Sequence, residues 1–194
     1  MFKAISLAAV SSLSLLWSVS AFSAWELKAE PSSLQFVTTK ASHVAEVHQF
    51  KRLSGSIDDA GKAVLEIDLT SVDTNIEIRD QRMQEMLFET KMYPKASLVT
   101  ELVPAKLNLK TGESTSIEIK GNLSIHGVSH AVNSVANVSK LANGDLVAVS
   151  QSPIIINAKD LGLVAGVEKL REVAGLPSIS YSVVVNYRLV FAKK

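Results

Sequence analysis

The chain has no cysteine among its 194 residues and almost no excess of charge, with 20 Lys and Arg against 19 Asp and Glu. Without thiols there is no disulfide framework, no thiolate nucleophile and no sulfur ligand for a metal. Setting aside Lys3, which lies in the leader described below, leaves 19 basic against 19 acidic residues. A neutral chain offers no basic field to nucleic acid and no strong attraction to an anionic membrane surface. Histidine is scarce too: only His43, His48, His126 and His130 occur. Neither pair has the helical i, i+4 spacing of a zinc motif, so no metal or cofactor is expected. No serine stands in a Gly-x-Ser-x-Gly elbow, which removes sequence support for a hydrolase triad. Internal repeats, low-complexity tracts and interdomain linkers are also missing, so the sequence reads as one domain.

The N-terminus has the three-part layout of an export signal. Lys3 is followed by an uncharged run from Ala4 to Ala21, then by small residues ahead of Trp25. Cuts after Ala21 and after Ser23 both satisfy the small-residue rule. The run is short and serine-rich for a spanning anchor. The expectation is a signal peptide over 1–23, a mature domain over 24–194, and a periplasmic protein.

What fills that domain is alternation. Ile117, Ile119, Gly121, Leu123 and Ile125 interleave with Glu118, Lys120, Asn122 and Ser124. Leu65, Ile67 and Leu69 do the same, as do Ile179, Tyr181, Val183, Val185, Tyr187, Leu189 and Phe191. A period of two puts one face of a strand against an apolar interior and the other in water. Turn signals lie between the runs at Asp58–Gly61, Lys110–Glu113 and Ala142–Asp145. Sequential strands joined by short turns make an antiparallel meander, and seven or eight of them close most easily into a barrel.

Two segments resist the strand reading. In "SVDTNIEIRDQRMQEMLF", residues 71–88, Met83, Met86 and Leu87 recur at helical spacing, with Asp80 as the expected N-cap and Tyr93-Pro94 as the stop. From Asp160, Leu163, Val164, Val167, Leu170 and Ala174 share one face, and Gly175 and Pro177 end it. Two short amphipathic helices at a barrel's mouth or flank would each find an apolar surface to cover.

Asp73 and Asp80 are a candidate carboxylate pair for acid–base work, together with Arg79 and His126. The competing reading is that Asp73 and Thr74 satisfy turn amides while Arg79 pairs with Asp73 or Asp80. Phe36, Phe50, Phe88 and the methionines supply apolar volume that either packs a core or walls a cavity.

The stretch "SVDTNIEIRDQRMQEMLFETKMYP" resembles the signature of the YceI-like family. "IKGNLSIHGVSHAV" (119–132) is similar to its Gly-x-Leu-x-Ile-His-Gly-Val run, and "NAKDLGLVAG" (157–166) to its Asp-Phe-Gly element, with Leu161 in the aromatic position. "LSGSID" (53–58) and Trp25 extend the likeness along the exported chain. The resemblance implies an all-β, lipocalin-like, antiparallel eight-stranded barrel with two short helices. It also implies that the lumen holds an isoprenoid or other amphiphilic lipid chain, without catalysis. Some family members are linked with quinone or membrane-redox functions and with stress responses. The N-terminal hairpin departs from the family pattern: Pro31-Ser32-Ser33 and Lys40 stand in the His-bearing places, and His48 lies near a Gly position.

The expected ligand contacts are Phe36, His48, Phe50, Thr74, Arg79, Met83, Met86, Leu87, Phe88 and His126, with the helix from Asp80 as a lid. The expected partners are the lipid and, transiently, a membrane, but no nucleic acid. The alternatives are an enzyme acting on a lipid-like substrate through Asp73, Arg79, Asp80 and His126, and a packed stress-induced partner of a membrane protein.

Overall fold

The structure, a computed structural model, describes residues 23–194. Residues 1–22 of the expected leader over 1–23 lie outside the described residues. Among the described residues, eleven strands form one antiparallel sheet: β1 Ser23–Lys40, β2 Val44–Phe50, β3 Leu53–Asp58, β4 Lys62–Asp68, β5 Val72–Asp73 and β6 Lys95–Glu101, followed by β7 Ser114–Ile125, β8 Val128–Lys140, β9 Leu146–Ser150, β10 Ile154–Asn157 and β11 Ser182–Lys193. Several of these are segments of one stave. β2 and β3 both pair with β1 across a break at Lys51-Arg52, and β9 and β10 both pair with β11 across a break at Gln151–Pro153. A 3-10 turn at Leu69–Ser71 joins β4 to β5 in the same way. Eight staves result, and the pairing of β1 with β11, from Trp25 opposite Lys193 to Val37 opposite Val184, closes the ring.

Closure needs a local repair. The β1–β11 register shifts between Lys28 and Ser33. There the Ser32 hydroxyl accepts from the Val190 amide at 2.9 Å, and Arg188 donates to the Pro31 carbonyl at 2.7 Å. Side chains thus satisfy groups that a bulge takes out of the ladder.

The turns follow from residue type. His126 and Gly127 join β7 to β8 with positive φ at both positions (+52° and +75°), as a two-residue primed turn requires. Gly61 (φ +94°) has no room for a side chain, because a Cβ there would lie 2.1 Å from the Leu102 carbonyl oxygen.

Antiparallel order sends both long excursions to one end of the barrel, shared with the β1–β2 and β7–β8 hairpins. The first excursion is α1 (Glu77–Arg82) running into a π-helical turn at Met83–Leu87, and the second carries α2 (Val164–Val173). Both helices start elsewhere than their expected caps. Asp80 lies inside α1, where its carboxylate accepts from the Thr74 amide at 2.8 Å and the Thr74 hydroxyl at 2.6 Å. It therefore closes the preceding turn instead of opening the helix. Asp160 lies in a turn ahead of α2 and faces His130 at 3.9 Å.

The two helices touch at Gly166. A Cβ at that position would sit 2.7 Å from both the Leu87 Cα and the Met86 carbonyl oxygen. The opposite end is plugged by Leu107 from the 3-10 turn Pro104–Leu107.

Candidate functional site: an apolar lumen with a charged mouth

The inward positions of the staves do not fill the barrel. They enclose a cavity of about 400 Å³ that runs from Ala63 and Leu107 at the plugged end to Arg79 and Leu176 at the helical end. This is within the roughly 300–1,000 Å³ range of pockets that bury a small ligand. Ile117, Ile119, Leu123 and Ile125 all face it, as their even spacing requires, while Glu118 is exposed. α2 contributes Leu163, Val167, Leu170 and Ala174 from the apolar face read in the sequence.

Along β1 and β2 the lining changes character with depth. Leu34 pairs with Phe50, Phe36 with His48 and Thr38 with Glu46, and Lys40 stands above them. Phe36 stacks on Phe50 at 5.3 Å between centroids, and Phe88 tilts against Phe50 at 5.8 Å. One step nearer the mouth, His48 is buried, its Nε2 lies 3.0 Å from the Thr38 hydroxyl, and its ring sits 5.4 Å from that of Phe36. Burial first, then the charge of Arg79, holds the imidazole below the usual histidine range.

At the mouth, Glu46 pairs with Lys40 and with Arg79, each at 2.8 Å. The Lys40 hydrogen bond is the main reason its carboxyl titrates below the ordinary glutamate range. Arg79 also donates from Nε to the Thr74 hydroxyl (2.9 Å) and from Nη2 to the Thr74 carbonyl (2.8 Å). Its acidic partner is thus Glu46 across the mouth, not Asp73 or Asp80. Arg82 lines the cavity beside it, its side chain making no hydrogen bond or ion pair among the described residues.

Of the ten expected ligand contacts, Phe36, His48, Phe50, Arg79, Met83 and Leu87 line the lumen. The other four sit behind that wall. Phe88 is buried against Phe50, and Thr74 is buried between Arg79 and Asp80. The Met86 carbonyl faces Gly166 of α2. His126 pairs with Glu89 at 3.0 Å and its ring tilts against that of Tyr93 at 4.7 Å between centroids, tying the end of the π-turn to the β7–β8 hairpin. Sequence reading marked Lys40 only as a departure from the family pattern, not as a ligand contact, and missed Glu46 and Arg82. The signal for Lys40 and Glu46 was the alternation of β1 and β2, followed two residues further to the hairpin.

Asp73 and Asp80 do not form a shared site. Asp73 accepts from Gln49 and the Asn75 amide and pairs with Lys51 at 3.0 Å, whereas Asp80 is engaged by Thr74. Neither lines the lumen.

A closed eight-stranded antiparallel barrel with an apolar lumen, two short helices over one end and a polar mouth defines a lipocalin-like binding fold. The chain belongs to the YceI-like family, whose domain model matches residues 25–191. Among solved structures, it is similar to a polyisoprenoid binding domain from Saccharophagus degradans implicated in plant cell wall breakdown. The two share 38% identity at a TM-score of 0.87, over 89% of this chain and all of that one. BcnA of Burkholderia cenocepacia (19% identity, TM-score 0.66, 84% of this chain and 98% of that one) shares the fold. So does a YceI protein of Campylobacter jejuni (21%, TM-score 0.51, 76% and 84%). No curated protein matches the chain.

Proposed function

We propose that this protein is a periplasmic binding protein that holds the chain of an isoprenoid or other amphiphilic lipid in its lumen, without chemistry on it. The observation that carries the reading is the continuous apolar cavity of about 400 Å³ under a helical cover. An unfilled apolar volume of that size costs stability, and an apolar chain recovers it at roughly 25 cal/mol per Å² buried. The name of the Saccharophagus relative, a polyisoprenoid binding domain, supports the same ligand class. The leader layout supports export.

The geometry favours binding over catalysis. Of Asp73, Arg79, Asp80 and His126, only Arg79 reaches the lumen. Transient membrane contact fits the exposed Ile76, Ile78 and Met92 on the segment that covers the mouth.

Native mass spectrometry and lipid extraction of protein purified from its own periplasm test the proposal. The expected result is one co-purifying apolar chain per protein. Protein that arrives empty and takes up no fluorescent isoprenoid analogue defeats it, and a chemically altered lipid returns the enzyme reading.

A further inference from the structure

The deep polar groups of the lumen are satisfied by the protein, with one exception. Tyr187 meets Ser134 at 3.2 Å, and Thr100 donates to the Lys120 carbonyl at 3.0 Å. His48 is 4% exposed and uses Nε2 on Thr38, but its Nδ1 is buried with no partner among the described residues. A buried ring nitrogen left unpaired is costly, and because the His48 side chain lines the cavity, a small turn of the ring would offer Nδ1 to a ligand's polar group. The Thr38 hydroxyl can accept from or donate to Nε2, which lets Nδ1 take either role.

Charge adds a second constraint. Lys40, Arg79 and Arg82 line the mouth against the single carboxylate of Glu46. Lys40 and Arg79 share that carboxylate, and Arg82 has no partner among the described residues. Glu46 is one inward position above His48 on β2, about 7 Å along the strand. Below His48 the wall is aromatic and then aliphatic down to Leu107.

We propose that the lumen selects a single apolar chain ending in an oxygen anion, a carboxylate or a phosphate. Its oxygen meets His48 Nδ1, its charge lies among Lys40, Arg79 and Arg82, and its tail points toward Leu107. This deepens the lipid-binding reading and rests on it.

The test is displacement of a bound fluorescent isoprenoid analogue by four twelve-carbon competitors: dodecanoate, dodecyl phosphate, dodecanol and dodecane. The two anions separate the carboxylate from the phosphate source. The expected order is anions ahead of dodecanol by about tenfold and dodecanol ahead of dodecane by several-fold. His48→Phe should erase the gap between dodecanol and dodecane and most of the anions' advantage. Arg82→Gln should reduce the anions' advantage more than it changes dodecanol. Lys106→Gln, an exposed charge at the opposite end, controls for net charge and should alter nothing.

Saturating dodecanoate should also shift the ¹⁵N resonance of His48 Nδ1 in the wild type, a readout that survives if His48→Phe fails to fold. Dodecane competing as well as dodecanoate, an unchanged order in His48→Phe, or an unmoved Nδ1 resonance at saturation would each overturn the inference while leaving lipid binding in place. An analogue that never binds defeats the lipid reading itself.

Discussion

Arg79 uses three of its donors on Glu46 and Thr74, so it fixes the start of α1 to the β2 wall before any ligand arrives. Arg79→Ala removes these bonds at a site only 25% exposed and leaves Lys40 as the sole partner of Glu46. A loss of about 1–3 kcal/mol is expected, read by chemical unfolding, together with weaker lipid uptake. Ile117 is 3% exposed and faces the lumen, so Ile117→Asp buries an unpaired carboxylate and should cost several kcal/mol, of the order of a domain's whole stability. Glu118→Ala, one residue along on the outer face, should be nearly silent. Equal effects at these two positions would refute the face assignment.

The buried imidazole also makes stability depend on pH. His48 titrates below its ordinary value of 6.5 in the folded protein. As pH falls through 6.5, the unfolded chain therefore takes up a proton that the folded chain refuses, and stability drops. Glu46, Asp68 and Asp73 also titrate below their ordinary values of 4.5 and 3.8. Their contributions are present above those values and are lost as pH falls further. Tm should thus be flat between about pH 7 and about pH 9 and decline in two phases on acidification. His48→Phe should lack the first phase and keep the second.

At the level of elements, the cover over the mouth works as a pair. The π-turn places an i to i−5 bond from the Phe88 amide to the Met83 carbonyl (2.9 Å) and turns Met83 and Leu87 to the lumen. α2 approaches that turn at Gly166, where the nearest obstacles to a Cβ are backbone atoms that cannot rotate away. Gly166→Val should therefore push the two helices apart, costing about 1–3 kcal/mol and speeding release of a bound chain in stopped-flow dilution. An unchanged release rate with unchanged stability would show that this contact does not hold the cover. The helices were legible in sequence as apolar faces, and the α2 face from Leu163 to Ala174 lines the lumen apart from Val164. Their starts were not. An aspartate at the right distance reads as a cap, but Asp80 is taken by Thr74 through a turn whose path depends on Asn75 at φ +60°.

For the molecule as a whole, the unfilled lumen sets what fits. Ala63 lines the plugged end on β4, far from His48 and the charged mouth. Ala63→Trp should shorten the longest chain retained in native mass spectrometry and leave head-group preference unaltered. Loss of short and long chains alike would place the tail elsewhere.

The sequence by itself determined the periodicity, and with it the strands, the inward face of β7 and the apolar face of α2. These depend on neighbours two, three or four positions apart, whose relation the backbone geometry sets. It also carried the family resemblance from Trp25 onward. The tertiary structure alone decided that eight staves close through β1 and β11, that the ring is wide enough to stay open, and that both helices gather at one end. It also decided that Glu46 meets Arg79 across 33 residues of chain and that His48 keeps an unpaired nitrogen. Those outcomes depend on distances between residues remote in the chain, which closure of the barrel sets and alternation does not encode.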